Sequence, residues 1–137
     1  MAKAKEAQQL SFTLPNKVGQ LSAVSDLIAA AKVNIEAILA IESGAQAEFR
    51  VVTAKNPKVK KALAPLGVEV KEEAVLCIDM ANKAGSLGKL AKRLADASVN
   101  INRLWATSFK GKTATAVLQT SDDKKALSSL TKKKKMK

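Results

Sequence analysis

Two tandem α+β units, each running strand, helix, strand, strand, helix, strand, are what the sequence predicts, and three observations carry that prediction. The phrase Asn16-Lys17-Val18-Gly19-Gln20-Leu21 returns 66 positions later as Asn82-Lys83-Ala84-Gly85-Ser86-Leu87, and the same displacement lays Val33-Asn34-Ile35 on Val99-Asn100-Ile101. Between Leu10 and Ala54 the ungapped self-match is 12 of 45 positions, with asparagines and glycines among them, so it is not a match of core hydrophobes alone. Within each copy the apolar residues switch between a period of two and a period near 3.6, the change expected where strands and helices alternate.

The first copy begins with Leu10, Phe12 and Leu14 alternating with Ser11 and Thr13, a half-buried strand. A turn through Pro15 to Gly19 follows. Leu21, Val24, Leu27, Ile28 and Ala31 then recur at helical spacing, with Asp26 and Lys32 off the stripe. Val33-Asn34 closes that helix, and Ile35 to Ile41, rich in branched apolar residues, reads as the second strand. Gly44 turns the chain into a third strand in which Ala47, Phe49 and Val51 alternate with Glu48 and Arg50. Pro57 opens a short helix that ends near Gly67, and Val68 to Val70 completes the unit as a fourth strand.

The second copy retraces this path: strand Val75 to Met80, helix Leu87 to Ala97, strand Ile101 to Ser108, turn at Gly111, strand Thr113 to Thr120, and a helix from Asp122 to about Thr131. Gly111 lies 67 rather than 66 residues after Gly44, which predicts a hairpin turn one residue longer that keeps Ala114, Ala116 and Leu118 in phase with Ala47, Phe49 and Val51. After the last helix come only lysines and Met136, so the second unit is expected to lack its last strand unless a partner or another segment supplies one. The element order is that of ferredoxin-like units, βαββαβ, antiparallel sheets with helices on one face. The expected divisions are 8–73, 74–131 and a basic, disordered tail at 132–137.

Composition narrows the function. Lysine and arginine number 24 against 12 acidic residues, a net charge of +12, but five of those charges sit in the last six residues. Such a run reads as a solvated tail, and with 3% aromatics and no Tyr the chain lacks stacking platforms for single strands, so a nucleic-acid partner is not expected. No apolar run approaches the length of a membrane span, and the charged N-terminus does not resemble a signal peptide. The single cysteine, Cys77, excludes an intrachain disulfide and fits a cytoplasmic location. Cys77 shares the second strand face with Asp79, with nothing basic flanking it to activate the thiol. No histidine is present, no metal-ligand cluster is visible, and Gly85-Ser86-Leu87-Gly88-Lys89 lacks the spacing of a phosphate-binding loop. No catalytic residue, metal or cofactor is therefore expected.

Asn-x-x-Gly-x-Leu after a first strand, with Val-Asn-Ile opening the second strand, resembles the ACT domain, a small-molecule sensing module of amino-acid metabolism. The resemblance runs from about Leu10 to Leu130 as a tandem pair. It implies a regulatory protein that binds an amino acid or related metabolite and reports it to a metabolic enzyme or to its own oligomer. The missing last strand and the sheet faces left uncovered by helices point to a homodimer. In the serine-inhibited phosphoglycerate dehydrogenases that carry this domain, two asparagines hold the effector, one three residues before the glycine and one fifteen after it. Asn16 and Asn34 stand at those spacings in the first copy, and Asn82 and Asn100 in the second. The resemblance implies sites that join adjoining domains, pairing Asn16 with Asn100 and Asn82 with Asn34. Those relatives place a histidine two residues before the first asparagine, where this chain has Leu14 and Met80. Serine is thereby disfavoured as the ligand, and a more apolar amino acid such as valine, isoleucine, methionine or phenylalanine gains weight.

The chemistry suits a zwitterion. Backbone amides at a helix start favour a carboxylate, glycine allows close approach and positive φ, and asparagine supplies donors and an acceptor without fixed charge. The candidate ligand-binding residues are Asn16, Lys17, Val18, Gly19, Gln20, Leu21 and Asn34, with Asn82, Lys83, Ala84, Gly85, Ser86, Leu87 and Asn100. Structural explanations stand beside this one: Asn16 and Asn82 suit turn positions, Asn34 and Asn100 suit left-handed helix ends, and Lys17 and Lys83 suit plain solvation. Two other functions fit the sequence: a subunit docking an enzyme of the acetolactate synthase type, and a basic nucleic-acid accessory protein.

Overall fold

Alternation along the first strand sends Leu10, Phe12 and Leu14 into the core while Thr13 stays exposed, and that single choice of face organises the N-terminal unit. The computed structural model describes residues 3–107 and 111–131. They form β1 (Lys3–Pro15), α1 (Gln20–Ala30), β2 (Ile35–Ser43), β3 (Gln46–Thr53), α2 (Asn56–Ala62), β4 (Lys71–Ala81), α3 (Ser86–Asp96), β5 (Ile101–Thr107), β6 (Thr113–Thr120) and α4 (Asp123–Thr131), with a 3-10 turn at Ala64–Leu66. All six strands are antiparallel to their neighbours, which is the α+β architecture the repeat predicts. The chain divides into two compact units, residues 8–73, and residues 1–7 with 74–137.

In the unit of residues 8–73, β3 lies between β1 and β2. Phe12 stands opposite Phe49, their rings stacked with centroids 5.3 Å apart. Val24 and Ile28 of α1 and Val59 and Leu63 at α2 bury against these strands in one cluster, so both helices cover the same face. Pro57 stands in the first turn of α2, where its missing N–H leaves no helical bond unmade. Thr53, Asn56 and Gln8 fasten the entry to that helix: the Thr53 hydroxyl donates to Asn56 Oδ1 at 2.7 Å and Asn56 Nδ2 donates to the Gln8 carbonyl at 3.0 Å.

The second unit repeats the plan with β6 between β4 and β5, Ile78 opposite Ala116 and Leu76 opposite Leu118. Leu90 and Leu94 of α3 and Ala126 and Leu130 of α4 complete its core. Asp122 caps α4, its carboxylate accepting from the Lys125 amide at 3.1 Å. The hairpin register confirms the one-residue slip: Ile41 pairs with Glu48, whereas Thr107 pairs with Thr115. Both second strands also shift register at equivalent places, between Ile35 and Ala37 and between Ile101 and Arg103. The bulge turns Ile35 and Ile38, and likewise Ile101 and Leu104, onto the core face three residues apart.

Four details differ from the sequence expectation. Val68 to Val70 is not a strand; Val68 and Val70 pack against the first core, but ladder pairing starts at Lys71 and runs unbroken to Ala81. Leu21, in the first turn of α1, is 51% exposed rather than part of the buried stripe of Val24 and Ile28. β1 begins at Lys3, well before Leu10. Its Lys3–Ala7 portion belongs to the second unit and packs Ala4 against that core, so a segment from the other end of the chain stands where the second copy has no strand of its own after α4. Ser108, and the tail expected at 132–137, lie outside the described residues.

α1 and α3 end alike. The Lys32 and Val33 amides donate to the Ala29 and Ile28 carbonyls at 2.9 and 3.4 Å, and Ser98 and Val99 do the same to Ala95 and Leu94, each at 2.9 Å. This is the Schellman arrangement, with the residue after the cap in the left-handed region. Here that residue is Lys32 (φ 62°) or Ser98 (φ 61°) rather than glycine. A left-handed L-residue costs roughly 1–2 kcal/mol, partly offset by the greater unfolded freedom of glycine. Lys32→Gly and Ser98→Gly are each expected to raise stability by about 0.5–1 kcal/mol in urea unfolding; an unchanged or lowered midpoint would contradict the strain.

Candidate functional site

Each repeated phrase forms the turn between the first strand and first helix of its unit: β1 ends at Pro15 and α1 starts at Gln20, while β4 ends at Ala81 and α3 starts at Ser86. Gly19 (φ 92°) and Gly85 (φ 90°) occupy the N-cap positions in the left-handed region. A Cβ at either would meet nothing within 4 Å, so backbone conformation rather than crowding demands glycine. Neither helix has a side-chain cap. An anion placed there meets the positive end of the helix and amides in search of acceptors.

Asn16 and Asn82 fasten these turns to the hairpin of the same unit. Asn16 Nδ2 donates to the Gly44 carbonyl at 3.3 Å and Asn82 Nδ2 to the Gly111 carbonyl at 2.7 Å. Their backbone amides donate to Ala45 and Lys112 at 2.8 and 2.9 Å. Both bonds recur in the second copy with the donor displaced by 66 residues and the acceptors by 67, as the longer second hairpin requires. Asn16 Nδ2 also reaches Glu42 Oε2 at 3.1 Å. The clasp uses only the donors of the amide, and a ligand ammonium would be met by its carbonyl oxygen.

The second asparagines sit elsewhere. Asn34 and Asn100 are exposed, and neither takes the left-handed cap, which falls two residues earlier at Lys32 and Ser98. Asn100 bridges strand and loop instead: its amide donates to the Ser121 hydroxyl at 3.0 Å, and its Nδ2 to Asn102 Oδ1 at 2.9 Å. Asn16 is tied to Glu42 and Gly44, at the far end of β2 from Asn34. At about 3.3 Å per extended residue, roughly 25 Å separates the two asparagines of one unit. No amino acid spans that, so one unit does not bring its own pair together.

The remaining candidates divide by environment. Lys17, Val18 and Ala84 are exposed, and Leu87 is 47% exposed. Gln20 is buried, its Nε2 donating to the Pro15 carbonyl at 2.7 Å. In the second unit the turn opens on a cavity of about 180 Å³ that brings together Asn82, Lys83, Ser86 and Leu87. Met80 lies against it, at the position where the resembling dehydrogenases carry histidine, and Ala106 and Thr107 close its far side. Ala106 and Thr107 carry no motif; only the pairing of β5 with β6 places them there, and pattern reading missed them. Among the described residues no group of three or more His, Cys, Asp or Glu is placed to hold a metal ion, and no helix is long and apolar enough to cross a membrane.

A family model described as an ACT domain pair matches residues 5–136. A crystal structure of a Bacteroides thetaiotaomicron protein is similar at 28% identity and a TM-score of 0.84, covering 93% of this chain and 88% of that one. The regulatory subunit of aspartate kinase from Thermus thermophilus shares the fold at 14% identity and a TM-score of 0.66, covering 94% and 93% of the two chains. That from Thermus flavus shares it at 16% and 0.64, covering 95% and 93%. No curated protein sequence matches.

The empty space around both turn glycines isolates the backbone contribution. Gly19→Ala and Gly85→Ala are each expected to lower stability by about 1–2 kcal/mol through φ strain alone, measured by urea unfolding. A loss under about 0.3 kcal/mol would show that the turn relaxes to negative φ.

Proposed function

The chain belongs to the family of ACT domain pairs, and from that premise we propose that it is an amino-acid sensor, binding a small amino acid or related metabolite at its repeated turns and reporting the occupancy to a metabolic enzyme or to its own homodimer. Domain pairs of this kind are typically ligand-binding regulatory domains of enzymes of amino-acid metabolism. The observation that carries the reading is the duplicated clasp: two turns with the same glycine conformation and the same asparagine bonds, each presenting an uncapped helix start. The helix start takes the ligand carboxylate, and the asparagine carbonyl takes the ammonium.

Leu14 and Met80, 4% and 6% exposed, underlie the turns in place of polar ligand contacts. With Leu87 beside Met80 at the second-unit cavity, they favour an apolar side chain on the ligand. Signalling follows if the ligand prefers one arrangement of the protein over another, since a ligand shifts an equilibrium only by its difference in affinity between the two states.

Thermal unfolding against the twenty amino acids tests this directly. The cognate ligand at 100 times its dissociation constant adds about 2.7 kcal/mol of stability, and apolar amino acids are expected to head the ranking. In calorimetric titration, Asn16→Ala and Asn82→Ala are each expected to remove about half of the binding stoichiometry. Retention of full stoichiometry in both variants would defeat the reading. A complete absence of shifts would turn the assignment toward docking on an enzyme, to which the exposed Val18, Leu21 and Leu87 offer apolar contacts.

A further inference from the structure

The first clasp contains a carboxylate that the repeat does not carry over. Glu42, near the end of β2, is exposed, and its Oε2 accepts from Asn16 Nδ2 at 3.1 Å. The same nitrogen donates to the Gly44 carbonyl at 3.3 Å, so both hydrogens of the amide are engaged and the amide is held one way round. With the nitrogen committed to the hairpin, Asn16 Oδ1 and the Glu42 carboxylate make two acceptors in the turn that leads into α1 at Gln20.

β2 and β5 correspond at the 66-residue displacement, which puts Ser108 in the sequence where the first copy has Glu42. From that position to the next strand the first copy reads Glu-Ser-Gly-Ala and the second Ser-Phe-Lys-Gly-Lys, so the two hairpins differ in the sign of their charge. The apolar rim differs as well. Leu87 and Thr107 line one cavity in the second unit, and their counterparts Leu21 and Ile41 are both apolar and half exposed. An α-amino acid carries its ammonium and carboxylate on one carbon, so a carboxylate at the start of α1 brings the ammonium toward Asn16 and Glu42. A carboxylate has about four acceptor positions and an ammonium three donors, which lets Glu42 hold Asn16 and the ligand together. A ligand acid without an ammonium meets only repulsion from Glu42.

Resting on the reading of the turns as amino-acid sites, we propose that Glu42 is the specificity-determining residue of the first turn. With Asn16 Oδ1 it takes the ligand ammonium, so this turn accepts apolar amino acids and rejects the 2-hydroxy and 2-oxo acids of the same skeleton. The second copy, with Ser108 at that position, does not select by this means. A sensor so built separates an amino acid from the product of its deamination, and the two copies read different features of the ligand.

Titration calorimetry on the full chain tests this with valine, isoleucine, methionine and phenylalanine, each paired with its 2-hydroxy acid, in which a hydroxyl replaces the ammonium. Glu42→Gln keeps an acceptor for Asn16 and removes the charge. It is expected to weaken the amino acid about tenfold or more at one of its two binding events, as loss of a charge-assisted bond requires, and to leave the 2-hydroxy acid unchanged or tighter. Glu48→Gln removes a charge from the same hairpin, opposite Ile41, and is expected to leave both ligands unchanged. Melting curves matching the parent confirm that each variant folds. An amino acid held by Glu42→Gln as tightly as by the parent overturns the assignment. So does weakening of amino and hydroxy acid alike, which is the mark of a merely structural role, or equal weakening by Glu48→Gln, which is the mark of diffuse charge. Where the hydroxy acid is too weak to titrate, Glu42→Gln against Glu48→Gln decides. Failure of the parent to bind any amino acid defeats the sensing reading and the Glu42 assignment with it, whereas binding indifferent to Glu42→Gln defeats the assignment alone.

Discussion

The clasp from Asn16 to Gly44, and its copy from Asn82 to Gly111, is the constraint on which the rest of each unit depends. A single amide bond of this kind contributes only about 1 kcal/mol, but this one joins two chain reversals that are far apart in sequence. It holds the end of the first strand against the β2–β3 or β5–β6 hairpin, next to the register pair Pro15 and Gln46 in one unit and Ala81 and Thr113 in the other. With that end fixed, the left-handed glycine has one direction in which to launch the helix. The apolar side of the helix then falls on Leu10, Phe12 and Leu14, or on Leu76, Ile78 and Met80. Core, turn and candidate site are linked in each unit by this tie.

What could be seen in the amino-acid pattern, and what could not, follows from where each signal originates. Periodicity located the central strands and both long helices because burial on one face leaves its mark residue by residue, as at Phe49 and Val51 or Leu90 and Leu94. Even the slip between the hairpins was visible, since a glycine marks the turn in each copy and Gly44 and Gly111 lie 67 residues apart. The extension of β1 to Lys3 was not, because Lys-Ala-Lys-Glu-Ala carries no strand preference and becomes a strand only through neighbours that sequence does not disclose. The bulges at Ile35 and Ile101 were hidden in the same way, for an apolar run looks alike with or without an extra residue.

The candidate site was visible in part, for a related reason. Asn82, Lys83, Ser86 and Leu87 are neighbours in sequence and remain so around one cavity, whereas Thr107 reaches it only through strand pairing. Asparagine is equally at home in a turn and at a ligand, so residue type alone did not separate the two, and the structure displays the turn bonds. The divergence of the copies lies in residues that no shared motif contains. Lys89 and Arg93 replace Ala23 and Leu27 on a helix face whose inward positions, Leu90 and Leu94, match Val24 and Ile28. The core is thus conserved between copies while the rim is rewritten, which leaves the two turns alike in framework and different in what they attract.

The assignment of Lys3–Ala7 to the unit that contains Ala74 onward bears on the order in which the protein acquires its structure. The unit of residues 8–73 holds a core drawn from contiguous chain. Its companion must close a loop of some seventy residues to recover the segment carrying Ala4, an entropic penalty that grows with the logarithm of loop length and slows assembly. The earliest strand residues in the chain are therefore among the last to find their place.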